Sequence, residues 1–306
     1  MQQSWEAYLT LSVVHSMAFP ACANGEGPFV ETIGRLAADD FFGAVEVGWI
    51  NDADARHRVR AIAEQSRLQL GFAAQPTLLG PKLSLNDLDD VRRACAVERM
   101  RGAIDQAVEL GCRRLAFLAG PDPGDEQRER ALDLLTASVM FLCAYADDRG
   151  VCLELETFDR LVDKKSLIGP SPVAAQFAAR IRADHPSFGL LYDLSHMPLL
   201  YEDVPGSLGV LKDYLVHIHV GNGVVVPGVP GYGDLHPRFG FPHGSNDVPE
   251  LAAFLKGLFD VGYLREGANV KPWVGFEVKP FGAEDADLVL ANTRRAWRQA
   301  WADLAV

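Results

Sequence analysis

FGLLYDLSHMPLLYEDVPGSLGVLKDYLVHIHVGN, residues 188–222, contains two β-type runs with a short helical stretch near Leu208–Tyr214 between them. Each run carries near its end a side chain that binds metals in proteins, Asp193 in the first run and His219 in the second. Two parallel strands joined by a helix are the repeating unit of α/β sheets. The stretch therefore predicts such a unit, with both side chains at the carboxyl ends of neighbouring strands.

The same alternation of β-type and helix-type stretches runs through the whole chain. The β-type runs lie at 11–17, 43–50, 69–79, 113–120, 151–158, 188–196, 215–222 and 273–280. Helix-type stretches between and after them include 27–41, 51–68, 88–110, 171–183, 208–214, 248–259 and 284–301. This order predicts the α/β fold class, as a single (β/α)8 TIM barrel domain over residues 1–306. An open doubly wound sheet is the competitor, but VVHSMAFPACANGEG lacks the GxGxxG phosphate turn that such a sheet carries after its first strand.

The composition excludes several classes of function. Hydrophobic residues make up 48% of the 306 residues and charged residues 23%, as in a globular protein. The formal net charge is −12 without any run of lysine or arginine, so nucleic acid is not an expected partner. No apolar run approaches the roughly 18 residues that a membrane span needs, so no membrane partner is expected either.

The cysteines and the first residues predict a cytoplasmic protein. The five cysteines are scattered and odd in number, which is typical of reduced thiols rather than of a disulfide framework. MQQSWEAYLT lacks the basic start and the long apolar stretch of a signal peptide.

Four potential ligands occupy equivalent places in the last four β-type runs: Glu156, Asp193, His219 and Glu277. In a parallel barrel these strand ends meet at the C-terminal mouth, where active sites lie. Three carboxylates and one imidazole form a hard ligand set that suits Mn²⁺, Mg²⁺ or Co²⁺ better than zinc. The sequence thus predicts one divalent ion, with Mn²⁺ as the first choice.

Two further side chains share strand faces with these ligands but lie one layer deeper. Glu154 is a second candidate ligand or a buried structural acid paired with an arginine. His217 is interpreted as a packed inner-layer residue.

Three more residues have two open interpretations each. His196 could bind a substrate hydroxyl or act as a local cap. Lys279 could stabilise an enolate oxygen or act as an acid, and it could equally form a salt bridge at the rim. Glu46 could contact substrate or support a ligand from behind.

At these residues the chain resembles the xylose isomerase-like barrels of the sugar phosphate isomerase/epimerase superfamily. The run from Glu156 to Arg160 is similar to the Glu-x-x-Asn-Arg motif of the ketose 3-epimerases, with Asp159 in place of asparagine. Asp193-Leu-Ser-His196 and the pair His217-Ile-His219 match further motifs. The resemblance implies that Glu156, Asp193, His219 and Glu277 bind the metal and that His196 binds substrate.

The chain departs from the epimerase pattern after its seventh β-type run. The epimerase run Gly-Glu-x-Asn-Arg is replaced by GNGVV, and a long loop follows at about 223–245, with His236, Arg238 and His243. This loop, together with VHSMAFP and LVDKKSLIGP, resembles the catalytic subunits of bacterial C-glycoside deglycosidases, which cleave 3-oxo-C-glycosides. That resemblance implies a carbohydrate substrate and a small β subunit or a homo-oligomer as partner. The ring of Tyr232, Phe239 or Phe241 could stack on the substrate or dock such a partner.

The predicted function is a metal-dependent carbohydrate enzyme that abstracts a proton next to a sugar carbonyl. C-glycoside deglycosidase-type cleavage is the main interpretation, and ketose isomerisation or 3-epimerisation is the alternative. An endonuclease IV-like nuclease and a non-catalytic binding barrel are alternatives of other classes. The predicted catalytic residues are Glu156, Glu277, His196, His236 and Lys279. The predicted substrate-binding residues are His15, Glu46, His196, Arg238 and His243.

Overall fold

A computed structural model describes residues 3–304, so the first two and the last two residues of the predicted domain lie outside the described residues. The strands are β1 (Thr10–Val13), β2 (Ala44–Val47), β3 (Gln69–Ala73), β4 (Arg114–Leu118), β5 (Cys152–Glu156), β6 (Gly189–Asp193), β7 (Leu215–Gly221) and β8 (Trp273–Glu277). The helices are α1 (His15–Ala18), α2 (Phe29–Ala37), α3 (Ala53–Ser66), α4 (Gln75–Leu79), α5 (Asp90–Leu110), α6 (Arg128–Asp147), α7 (Ser171–Arg182), α8 (Val204–Leu211), α9 (Val248–Asp260) and α10 (Ala286–Ala302).

The strands form one parallel sheet in the order β1-β8-β7-β6-β5-β4-β3-β2. A parallel bridge between Val14 and Glu46 joins β1 to β2 at the remaining gap. The Gly43 N–H also donates to the Leu11 carbonyl oxygen there, at 3.0 Å. The predicted (β/α)8 barrel is therefore confirmed, and the open sheet is excluded.

The strand register sets the height at which the candidate ligands lie. Asp193 of β6 pairs with His219 of β7. In the next ladder, Gly221 of β7 pairs with Glu277 of β8. Because side chains alternate across a strand, this register delivers the ligands to the same end of the barrel interior.

Local sequence signals explain where the long helices begin and end. Asp89 caps α5 by accepting hydrogen bonds from two backbone N–H groups, and Gly111 ends it in the left-handed conformation at φ 81°. Asp285 caps α10 in the same way. Such caps contribute about 1 kcal/mol each. Within residues 3–304, no helix is long and apolar enough to cross a membrane.

Three predicted elements had wrong limits. The run at 69–79 is a strand only as far as Ala73, because Pro76 lies in the first turn of α4, where proline is tolerated. The first run leaves the sheet after Val14 and begins α1 at His15. The helix predicted at 208–214 is α8, which starts earlier because the Asp203 carboxylate caps it.

Candidate metal centre

The structure brings the four predicted ligands together at the C-terminal mouth. Glu156, Asp193, His219 and Glu277 each offer one ligand atom, and these atoms lie within 4.8 Å of one another. The Nδ1 atom of His219 is 2.9 Å from Glu277 Oε2 and 3.7 Å from Glu156 Oε1. Strand ends that are distant in sequence thus form one cluster.

Two buried carboxylate oxygens in this cluster have no hydrogen-bond partner, Glu156 Oε1 and Asp193 Oδ2. Their companion oxygens are engaged: Glu156 Oε2 accepts from Gln75 Nε2 at 2.7 Å, and Asp193 Oδ1 accepts from the Ser195 N–H at 2.6 Å. Burial raises the pKa of Asp193, because the ionised form loses its hydration. Buried oxygens without a partner are unfavourable, and a hard divalent ion would satisfy both. The residues therefore fit the predicted ion.

His219 is oriented from behind by Glu46. Its Nε2 atom lies 2.8 Å from Glu46 Oε2, so Nδ1 is the nitrogen that faces the carboxylates. The other Glu46 oxygen accepts a hydrogen bond from the Ser12 hydroxyl at 2.7 Å. A carboxylate behind a ligating histidine is the usual arrangement in metal sites. Of the two interpretations of Glu46, the geometry favours support of the ligand over substrate contact.

A second layer of ion pairs continues below this level. His217 Nδ1 is 2.8 Å from Glu154 Oε2, and its Nε2 is 3.2 Å from Glu46. Glu154 Oε1 also lies 3.3 Å from Arg114 Nη1. Burial opposes ionisation of Glu154, but Arg114 and His217 lower its pKa below the usual value. Glu154 is therefore a structural acid paired with an arginine, the second of the two predicted roles.

Asp234, which the sequence analysis did not single out, links two histidines above the cluster. Its Oδ1 atom lies 2.9 Å from His196 Nε2 and 2.7 Å from His236 Nε2. Its Oδ2 atom accepts a hydrogen bond from Lys164 Nζ at 2.7 Å. Both rings thus contact the same carboxylate oxygen.

The ionisable side chains of this upper group shift one another's pKa values. Burial would raise the pKa of Asp234, but His236 and His196 lower it well below the usual range. Burial opposes protonation of His236, but Glu277 and Asp234 raise its pKa to about 9. Asp193, His196 and His236 also place one ligand atom each within 4.8 Å of one another.

Lys164 reaches Asp234 because the segment after β5 is folded around Asp159. The Asp159 carboxylate accepts hydrogen bonds from the backbone N–H groups of Val162, Asp163 and Lys164, at 2.6–2.9 Å. Such side-chain caps fix tight turns. The aspartate that replaces asparagine in the Glu-x-x-Asn-Arg motif thus has a structural task.

The long loop is tied to the barrel at both of its ends. Asn246 Nδ2 donates to the carbonyl oxygens of Leu194 and Gly221, at 3.1 and 3.0 Å. The Asn246 N–H donates to Asn222 Oδ1 at 2.9 Å. These bonds hold the loop over the mouth, with Asp234 and His236 facing the ligands.

A cavity of about 180 Å³ opens beside the two groups. Its charged and ionisable lining includes Glu156, Lys164, Asp234, His236, Glu277 and Lys279. The backbone N–H of Lys279 donates to the His236 carbonyl at 2.7 Å. The ammonium group of Lys279 forms no ion pair with any residue from 3 to 304, so the predicted rim salt bridge is not observed.

His15 does not join the cavity, although it was predicted to bind substrate. It is fully buried, its Nε2 lies 2.7 Å from Thr32 Oγ1, and its ring stacks on Phe29. Burial lowers its pKa to about 3. It is a neutral core histidine, because the chain turns into α1 directly after β1.

The loop also directs some predicted substrate residues elsewhere. Arg238 Nε pairs with Glu284 at 2.9 Å, which anchors the loop to the start of the last helix. His243 is exposed and outside the cavity lining. Phe239 is 1% exposed, so it cannot stack on a ligand, and Phe241 packs against Phe281.

Of the residues that the sequence analysis missed, Asp234 and Gln75 had usable signals. Asp234 precedes the predicted His236 by two positions, a common spacing for paired polar side chains in a loop. Gln75 begins α4 one residue after the end of strand β3, at the barrel mouth. Lys164 had no signal of its own, because its position depends on the Asp159 turn.

Comparison with known proteins agrees with this architecture. Residues 35–286 match the family described as xylose isomerase-like TIM barrel. No curated protein matches the sequence.

Several solved structures share the fold at low sequence identity. D-psicose 3-epimerase from Clostridium cellulolyticum H10 is 16% identical, with 97% of this chain and 100% of that chain covered and a TM-score of 0.70. 3-keto-D-glucoside 4-epimerase from E. coli is 15% identical, with 95% and 99% covered and a TM-score of 0.67. An AP endonuclease of family 2 from Brucella melitensis is 20% identical, with 94% and 98% covered and a TM-score of 0.69. At these identities the likeness shows the fold.

Proposed function

This chain belongs to the xylose isomerase-like TIM barrel family, and from that membership we propose that it is a divalent-metal-dependent sugar epimerase or isomerase. The reaction is proton removal from, and return to, the carbon next to a sugar carbonyl. One observation carries the proposal. Two buried, unpartnered carboxylate oxygens point into a four-ligand cluster that borders a cavity.

The proposed ligands of the cation are Glu156, Asp193, His219 and Glu277. A divalent ion held there would supply Lewis acidity toward the carbonyl of a bound sugar. The oxygen-rich ligand set favours Mn²⁺, with Mg²⁺ and Co²⁺ as alternatives.

Glu156 and Glu277 are the proposed bases, because both carboxylates line the cavity. Glu277 has the more accessible side chain of the two, at 13% against 1% exposure. A carboxylate takes the proton from carbon, the electron pair of the C–H bond forms the C=C bond of an enolate, and the π pair of the carbonyl moves onto its oxygen. Return of a proton to the same carbon from the other carboxylic acid inverts that centre.

The lining cations have a supporting role in this proposal. The Lys279 ammonium has no ion pair within residues 3–304, and His236 lies 2.7 Å from Asp234 and 3.6 Å from Glu277, which favour its protonated form. Positive charge held near the site where an oxyanion develops lowers the barrier to its formation. We therefore place both residues at the oxygen side of the substrate, and Glu156 and Glu277 at the carbon side.

The comparisons favour epimerisation over C-glycoside cleavage, which was the main interpretation of the sequence. The sugar-active structures named above are both called epimerases. One of them is named for a 3-keto-D-glucoside, a sugar oxidised at the carbon that the deglycosidase resemblance also implies. We infer that 3-oxo-glucosides belong in the substrate search beside free ketoses.

Cleavage remains a second candidate because of the upper histidine group. Expulsion of an aglycone requires a proton donor in addition to the metal ligands. His236, 2.7 Å from Asp234 and 3.6 Å from Glu277, is such a donor at the cavity wall. An epimerase and a cleavage enzyme would share the first proton abstraction and differ in the fate of the enolate.

Solvent deuterium distinguishes these outcomes. The Mn²⁺-loaded protein is incubated in D₂O with free ketoses and with 3-oxo-glucosides, and products are followed by NMR. We expect deuterium at the carbon next to the carbonyl together with inversion there. Release of an aglycone would identify cleavage instead. Absence of deuterium exchange both with free ketoses and with 3-oxo-glucosides would contradict the proposal.

A matched pair of variants controls this assay. Glu277→Gln removes a proposed base and ligand, whereas Glu98→Gln changes an exposed glutamate that pairs with Arg101 on the barrel surface. Exchange should disappear in the first variant and persist in the second. A second assay on abasic duplex DNA, in which no cleavage is expected, tests the nuclease alternative.

A further inference from the structure

We infer that the opposite end of the barrel binds a small organic anion with an apolar body. The amino ends of strands β3, β4, β5 and β8 form this face, together with the carboxyl ends of α3 and α5. A cavity of about 640 Å³ opens there, within the range of roughly 300–1,000 Å³ that is usual for small-molecule pockets. Barrel enzymes hold their active sites at the other end, so the proposed reaction does not account for this cavity.

Four arginines converge on the cavity, in a protein whose net charge is −12. Arg60 is engaged, since its Nε donates to Glu64 at 2.8 Å and its Nη1 to the Glu109 carbonyl at 3.0 Å. The guanidinium groups of Arg67 and Arg113 form no ion pair or hydrogen bond with any residue from 3 to 304. The guanidinium groups of these two arginines are thus available to bind a ligand.

The charge around the cavity stays positive after its neighbours are counted. The lining contains four arginines and one acid, Glu64, which gives a formal charge of +3. The carboxyl ends of α3 and α5 each contribute about half a negative charge, which leaves about +2. Glu154 behind Arg114 reduces this further without cancelling it. The positive charge at the cavity is therefore greater than the amount needed to neutralise the partial negative charges of the two helix ends.

An apolar wall completes the site. Arg114 lies over the Trp273 ring, with its guanidinium carbon 4.3 Å from the ring centroid. Gly71 permits this arrangement, because a Cβ there would lie 2.9 Å from Trp273 Cζ3 and 3.3 Å from Arg114 Cγ. Val270, which is 80% exposed, supplies accessible apolar surface at the cavity, whereas Leu68 and Leu110 are buried.

These features define the class of ligand. Planar guanidinium groups bind carboxylate, sulfonate or phosphate oxygens in pairs. A bare inorganic ion would leave the apolar wall uncovered, and a neutral hydrophobic molecule would leave Arg67 and Arg113 without partners. An anion on an apolar body uses both parts of the site.

Binding of the fluorescent probe 1-anilinonaphthalene-8-sulfonate tests the inference, with the neutral N-phenyl-1-naphthylamine as comparison. We expect the sulfonate to bind, and the double variant Arg67→Gln/Arg113→Gln to weaken its affinity by at least about tenfold. The neutral probe should respond much less to the double variant. Arg180→Gln, at an exposed arginine paired with Asp133 outside the cavity, is the matched control and should bind as the parent does.

Chemical protection locates the probe independently of affinity. The sulfonate should shield Arg67 and Arg113 from phenylglyoxal, as read by mass spectrometry, and should leave Arg180 reactive. Absence of sulfonate binding, or equal binding by the parent and the double variant, would overturn the inference. Neither measurement depends on the metal or on the proposed reaction, so their outcomes are separate from those of the proposed function.

Discussion

At the scale of single residues, three of the four candidate ligands have one polar atom fixed by a neighbour and another that faces the shared point. Glu156 is held by Gln75, Asp193 by the Ser195 N–H and His219 by Glu46. These contacts fix the ligand side chains before an ion binds. Preorganisation of this kind reduces the entropy lost on binding.

Substitution of a ligand should separate metal binding from folding. Glu156→Gln and Glu277→Gln keep the shape of the side chain but remove a negative charge from a buried acidic cluster. We expect each to abolish turnover and to weaken Mn²⁺ binding by at least about tenfold, while the circular dichroism spectrum stays that of the parent. Glu98→Gln should match the parent in all three measurements. Full activity in either ligand variant would contradict the assigned roles.

His15 gives the fold a pH dependence of predictable sign. Burial lowers its pKa to about 3 from 6.5, so the folded protein keeps the ring neutral while the unfolded chain takes up a proton. Stability contributed in this way is complete above pH 6.5 and is lost as the pH falls from there towards 3. At about pH 5 the loss should be roughly 2 kcal/mol.

Urea unfolding of the parent and of His15→Gln measures this contribution. The parent should lose about 2 kcal/mol more than the variant between about pH 7.5 and pH 5. The internal control is the region above about pH 7.5, where the ring is neutral in both states and the two pH profiles should run parallel. Equal losses on acidification would show that His15 is protonated in the folded protein.

At the scale of elements, one glycine in β8 makes the support of His219 possible. A Cβ on Gly275 would lie 2.4 Å from Glu46 Oε1, 2.7 Å from Ser12 Oγ and 2.9 Å from His219 Cδ2. Three strands thus approach each other around a position where no side chain fits. The glycine is required by this close approach, since Gly275 does not adopt a positive φ.

Gly275→Ala should therefore weaken the metal site more than the fold. We expect Mn²⁺ affinity to fall by about 10- to 100-fold, as when the partner of a ligating histidine is disturbed. Stability should fall by about 1–3 kcal/mol, because the inserted methyl group is overpacked. Isothermal titration and urea unfolding measure the two effects.

Gly34→Ala is the matched control for that substitution. Gly34 lies in α2, and no atom is within 4 Å of a Cβ placed there. The variant should bind Mn²⁺ as the parent does and gain up to about 1 kcal/mol of stability, because alanine favours the helix. Unchanged metal affinity in Gly275→Ala would refute the role given to Glu46.

Elements with their own local signals could be predicted from sequence, and those that depend on distant contacts could not. The strand ends at Asp193 and Glu277 follow clear apolar runs, so their positions were correct. The helix α4 was read as strand because five residues are too few to show helical spacing. His15 was assigned to the site, because sequence alone does not show that the chain turns away after β1.

At the scale of the whole molecule, the two ends of the barrel carry different sets of ionisable side chains. The C-terminal mouth gathers carboxylates and histidines around a small cavity. The other end carries an arginine-lined cavity in a protein of net charge −12. Glu46, His217, Glu154 and Arg114 form a continuous line of ion pairs between the two regions.

The metal ligands of the site could be predicted from the sequence, whereas its loop residues could not. The reason is physical. The four ligands lie on strands, and a parallel barrel brings equivalent strand ends together whatever the intervening sequence. Asp234 and Lys164 lie on two loops that meet only in the folded chain, at 2.7 Å. Loop positions depend on contacts such as those of Asp159 and Asn246, which periodicity does not reveal.

The central claim is that one divalent cation is bound jointly by Glu156, Asp193, His219 and Glu277. The most direct test is anomalous scattering from crystals of the protein grown with Mn²⁺. We predict a manganese peak in bonding contact with the three carboxylates and with Nδ1 of His219. A well-ordered crystal without a peak among these four side chains, or with its manganese bound elsewhere, would contradict the account.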